Sequence, residues 1–309
     1  MLKVQNLRID YYHVINLSSQ KDEFGNEHIV EQLLDLSDFF RRLANIDVAE
    51  RVSKTNSGEI IRFQIIKSKE HFKIKNSDGS QYCYWELEIL KERSSSVPGV
   101  ATKSGEYNPI NVEDGDLLSE DISALYDSQT CIMAVLRKRE GLSPSGIAKV
   151  LTRMMSGSEI ELRPLMSKQA LEQFTSDMIY RSVQISMINN HSDSNKPSLL
   201  GILDDSNELN APTISFKLSV GKAGKREQSM SFDALINKLK HLVLNSSVTC
   251  LKLSAKSNKS EKAKLYDLIN EREHDFVKLE FSKQNPITHL RAFDAIEQCY
   301  FKKLNKFKM

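Results

Sequence analysis

The stretch Tyr82–Leu90 constrains the fold more than any other. Tyr82, Tyr84, Glu86, Glu88 and Leu90 alternate with Cys83, Trp85, Leu87 and Ile89. A period of two, rich in aromatic and β-branched residues, is the signature of a strand. The same alternation recurs from Leu2 to Leu17, Ile60 to Ile66, Glu159 to Pro164, Asp177 to Ile188, Ile214 to Leu218 and Phe276 to Phe281. Thr130–Leu136 is almost wholly apolar, as a strand covered on both faces is.

Helical spacing appears between these strands. Ile29, Leu33, Leu36, Phe40 and Leu43 predict a helix over His28–Ala44. Ser143 and Pro144 open another, with Ile147, Val150, Leu151 and Met154 inward. Ser231 caps a helix through Leu244, and Leu265, Leu268 and Ile269 predict one more after the turn at 257–260. Pro286 opens a final helix whose stripe is Leu290, Phe293, Ile296, Tyr300 and Leu304. That stripe reads as core packing, or else as a dimer seam. Residues 67–80 read as a basic turn, and 91–122 as loop carrying Glu113, Asp114, Asp116, Glu120 and Asp121. The expected fold is α+β, with two domains, mixed sheets and packed helices, in a homodimer. The expected division is an α+β domain over 1–188, a linker over 189–210, and a basic α/β domain over 211–309 that ends in the amphipathic helix.

Charge is distributed unevenly. From Ile214 to Lys264 there are eleven Lys/Arg and three acids, a net +8, while the whole chain is only +2. The remainder is therefore −6. A clustered positive field favours a polyanion, of which nucleic acid is the commonest. The candidate contacts are Lys252, Lys256, Lys259 and Lys262, on a strand end, a turn and the helix expected after it. The turn Gly221-Lys-Ala-Gly-Lys-Arg adds Lys222, Lys225 and Arg226. Lysine outnumbers arginine, and no recognition helix is visible. Both features favour phosphate contacts on a duplex over base readout.

Catalytic signatures are weak. Seven scattered histidines form no Ser/His/Asp or Cys/His pattern, and no HExxH or CxxC spacing is present. No metal and no cofactor is expected, and the four cysteines read as reduced core residues of a cytoplasmic protein. No run of 18 apolar residues suits a membrane span. Glu86 and Glu88 share a strand face, as carboxylates of two-metal nucleases do, so a metal-dependent nuclease is the alternative enzyme reading. A protein-interaction module whose lysines only solubilise it is the third reading.

Certain residues resemble a known family. Ile160-Glu-Leu-Arg-Pro-Leu-Met166, the strand Met178–Met187, Leu251-Lys-Leu-Ser-Ala-Lys256 and a closing helix with Cys299-Tyr300 are similar to the RexA-like phage-exclusion proteins. Trp85–Leu90, Ala124-Leu-Tyr-Asp127 and Gly141-Leu-Ser-Pro-Ser145 are similar to a broad family of phage and bacterial proteins. The first resemblance implies a homodimeric, non-enzymatic protein that binds double-stranded DNA with little sequence preference. It implies a role in abortive infection beside a membrane-protein partner. Leu253-x-Ala255-Lys256 implies a DNA-contacting Lys256, while Ser254 stands where the family has arginine.

Overall fold

The computed structural model describes residues 3–21, 27–55, 58–92, 99–101, 107–110, 113, 116, 118–138, 141–166, 173–188, 213–221, 228–244, 248–258, 260–282 and 284–308. Its architecture is α+β. Two compact units emerge: Met1–Leu162 with His274–Met309, and Arg163–Glu273. The segment expected as a linker, 189–210, lies outside the described residues.

The first unit is built on a curled sheet. Its strands are β1 (Lys3–Lys21), β3 (Val52–Lys54), β4 (Ile60–Lys75), β5 (Gln81–Glu92), β8 (Ser119–Asp127), β9 (Ile132–Arg137) and β10 (Glu159–Pro164). They run in the order β10-β1-β9-β8-β5-β4-β3, and β2 (Glu27–Leu33) and β15 (His274–Phe281) also pair with β1. The short strands β6 (Gly99–Ala101) and β7 (Tyr107–Pro109) pair separately. Every described register is antiparallel, where mixed sheets were expected.

The alternation in β5 explains the layering. Trp85, Leu87 and Ile89 face a core with α1 (Ser37–Ala44) and α2 (Pro144–Met154). There Phe40 lies 5.7 Å from Trp85 and 5.6 Å from Tyr126. Tyr82, Tyr84 and Glu86 point the other way, toward α4 (His289–Phe307), where the Tyr84 phenol donates to Glu297. His289, Phe293, Ile296, Tyr300 and Leu304 are buried, so the closing helix packs on its own sheet and its stripe is no dimer seam. Leu290, expected inward, is exposed. Beneath the helix sits Asp127, fully buried. It accepts from Tyr82, Tyr300 and Thr130 hydroxyls at 2.5, 2.5 and 2.9 Å and from Gln129 N–H at 3.0 Å. Burial, reinforced by this carboxylate, pushes both phenols well above their ordinary values.

Three local expectations change, each because a strand found a partner. The helix expected over 28–44 shrinks to α1, since β1 extends to Lys21 and pairs its far end with β2. The basic turn expected at 67–80 is mostly β4, zipped to β5 from Ile61↔Lys91 to His71↔Tyr82. Only 76–80 turns, with Gly79 at φ +84°. Glu120 and Asp121, expected in a loop, belong to β8. By contrast, α2 starts as expected, with the Ser143 hydroxyl accepting from Gly146 N–H at 3.1 Å. All four cysteines are free thiols, and Cys83 is exposed where a core position was expected.

The register of β4 slips after His71. Its Nδ1 accepts from the backbone N–H of Lys73 and Ile74 at 3.2 and 3.1 Å, which requires that nitrogen unprotonated. Burial lowers the pKa of His71 from 6.5, Lys73 adds to this, and Glu297 opposes it. The unfolded chain therefore takes up the proton first as pH falls. The bulge is expected to hold above 6.5 and to loosen below it, toward the lower folded value. Protection factors of the Lys73 and Ile74 amides, taken against the intrinsic exchange rate at each pH, that do not fall on acidification would contradict this.

The second unit is a four-stranded antiparallel sheet. Its strands are β11 (Ile179–Ile188), β12 (Thr213–Ser219), β13 (Val248–Lys256) and β14 (Lys264–Asp267), in the order β12-β11-β13-β14. The helix α3 (Phe232–Leu244) buries Leu239, Leu242 and Val243 with Val183, Ile185, Leu251 and Leu253. The helix expected around Leu265 is β14, because its backbone pairs with β13 from Lys252↔Asp267 to Ala255↔Lys264.

Candidate nucleic-acid interface

Alternation in the second unit sends one set of side chains away from α3. On β13 these are Cys250, Lys252, Ser254 and Lys256; on β11 Ser182, Gln184 and Ser186; on β12 Ser215, Lys217 and Ser219. The registers align them in rows. Lys217, Gln184 and Lys252 form one row, with Asp267 next in line. Neighbouring strands lie about 4.8 Å apart, so the two lysines are rooted about 10 Å apart. Hydroxyls flank them on both sides, and Ser215 donates to Ser186 across the strands at 2.9 Å. Gln184 and Lys217 are exposed and Lys252 is half-buried, so the face is open to solvent there.

One end of this sheet collects the flanks of two lysine-rich segments. Ser219 pairs with Ser182, and Lys256 pairs with Ile179. The chain leaves β12 toward Gly221 and leaves β13 toward 257–263 at that same end. Gly221 has φ +99°, a left-handed conformation that suits glycine alone. The Arg181 guanidinium donates to Gly221 and Gln228 carbonyls, at 3.3 and 2.8 Å, on either side of 222–227.

The expected contact residues separate on this frame. Lys252 is on the open face. Lys262 is exposed, but in a loop between strands and not on a helix. Lys256, expected on the DNA-contacting surface, is only 7% exposed at the end of β13. Lys222, Lys225, Arg226 and Lys259 lie outside the described residues. Lys238 and Lys240 are exposed on α3, which covers the opposite face. Lys217 and Gln184 were not among the expected contacts; the outward parity of Lys217 in Ile214–Leu218 was the available signal.

A second polar constellation lies beneath α4 in the first unit. The Ser123 hydroxyl and His289 Nδ1 are 2.9 Å apart, and His289 Nε2 is 3.2 Å from Glu86 Oε1. Lys69 Nζ approaches the other Glu86 oxygen at 3.7 Å. These residue types resemble a hydrolytic triad, but Ser123 is fully buried and no acyl group can reach it. Their role is to pin the first turn of α4 to the sheet. Ser123→Ala is expected to leave the imidazole short of a partner and cost about 1–3 kcal/mol. A urea midpoint unchanged from wild type would contradict that. Glu86 and Glu88 do share a face, yet among the described residues no three His, Cys, Asp or Glu side chains assemble a metal site. Burial raises the Glu88 pKa, His289 and Lys138 oppose the shift, and Asp121 and Glu86 add to it.

A family match spans residues 2–308. The chain belongs to DUF6731, a family of unknown function. No curated protein matches it. DUF6731 membership covers both units and brings no activity with it, so function rests on the geometry above. No helix among the described residues of this DUF6731 protein is long and apolar enough to cross a membrane.

Proposed function

We propose that the second unit binds double-stranded DNA through its phosphates, with little sequence preference and without catalysis. The observation that carries this reading is the Lys217–Gln184–Lys252 row on an open face, beside the end where both lysine-rich segments leave the sheet. Amines, hydroxyls and an amide are phosphate-contacting groups. The resemblance to RexA-like proteins at Leu251–Lys256 supports a role in phage exclusion, as a cytoplasmic homodimer working with a membrane-protein partner. Titration of a mixed-sequence duplex at about 50 and 200 mM salt, with and without magnesium, tests the reading. Salt-sensitive binding without cleavage is expected. Magnesium-dependent cleavage would replace it with the nuclease reading, and no binding at low salt would leave the lysines as solubilising groups.

A further inference from the structure

The first unit carries a different combination of aromatic rings and amines. Phe72, at the β4 bulge, is 78% exposed. Single exposed apolar residues are ordinary on protein surfaces. This ring is instead the outer end of a series. It stacks on His71 with centroids 5.4 Å apart and planes at 14°. His71 lies 4.2 Å from Phe301, which meets Tyr82 edge-on at 6.0 Å. Amines mark both ends: Lys73 Nζ is 5.0 Å from the Phe72 ring, and Lys308 Nζ is 4.3 Å from the Tyr82 ring.

The series continues into a cleft of about 690 Å³. Lys75, Lys308, Asn76 and Gln129 line it, and Gln129 Nε2 donates to Asn76 Oδ1 at 2.5 Å. Asp78 also lines it, but its Oδ1 already accepts from the Ser80 N–H and hydroxyl at 2.9 and 2.6 Å.

We propose that Phe72 is a stacking platform for an unpaired base of a single-stranded nucleic acid, whose backbone runs past Lys73 and Lys308 toward the Asn76–Gln129 cleft. An exposed π-face accepts any base, and flanking amines supply phosphate contacts. Leu33 and Phe307 also line the cleft, but its amides and lysines favour a nucleotide over an acyl chain. The surface is separate from the duplex-binding face, and neither reading requires the other.

The test uses the full chain and fluorescent oligo-dT and oligo-rU, with Phe72→Leu and Phe72→Tyr beside wild type. Leucine keeps an apolar side chain and removes the π-face; tyrosine keeps both. At 78% exposure neither change threatens folding. Phe72→Leu is expected to weaken oligonucleotide binding roughly tenfold, and Phe72→Tyr to stay within about twofold of wild type. Duplex affinity is expected to be the same in all three proteins. Equal oligonucleotide affinity in Phe72→Leu overturns the proposal, as does wild-type protein that binds no oligonucleotide. Phe72-dependent binding to phosphatidylserine vesicles without oligonucleotide binding overturns it in favour of a membrane.

Discussion

Asp127→Ala is expected to lower the melting temperature of the first unit by roughly 10 °C. Wild-type Asp127 is fully buried and serves four donors: the hydroxyls of Tyr82, Tyr300 and Thr130, and the N–H of Gln129. Alanine removes the acceptor and leaves the three buried hydroxyls without one. Each buried donor left without an acceptor costs about 1–3 kcal/mol, so the loss is several kcal/mol in all. In a unit of this size each kcal/mol moves the midpoint by about 2–4 °C. Tyr300→Phe removes one of the donors to the carboxylate and is expected to cost about 1–2 kcal/mol. A shift below about 3 °C for Asp127→Ala, read by calorimetry, would mean that water already reaches the carboxylate.

Lys217→Glu combined with Lys252→Glu is expected to weaken duplex binding about a hundredfold at low salt. Each lysine removed takes away a phosphate contact and flattens the salt slope by about one, and each glutamate adds repulsion. The two residues occupy one row across β12, β11 and β13, so the reversal acts on a single patch. Lys238→Glu with Lys240→Glu makes the same charge change on α3, on the opposite face, and is expected to cost far less. Equal losses from the two pairs would show that only net charge matters.

The strand signals were legible because alternation is local. Tyr82–Leu90 became β5 with its two faces assigned correctly, and Ser143-Pro144 opened α2 as its capping chemistry requires. The failures came where pairing partners are distant in sequence. Nothing within 28–44 reveals that β1 runs to Lys21 and recruits Glu27–Leu33 as a strand. Likewise Leu265, Leu268 and Ile269 fit a helical period, but β13 presents a backbone edge that β14 takes. The candidate interface was half visible. Lys252 stays partly exposed, while Lys256, of the same parity, is nearly buried at the strand end, which no local pattern encodes. Ser123, His289 and Glu86 meet only through the packing of α4 on β5 and β8, so their contact left no trace in spacing.

The most direct test of the proposed phosphate-binding face is the salt dependence of duplex affinity for the wild-type chain. About six phosphate contacts give a plot of log affinity against log salt with a slope near −5. A steep slope that flattens by about two in the Lys217→Glu/Lys252→Glu protein is the expected result. A slope near zero, or one that the reversal leaves unchanged, would contradict the account.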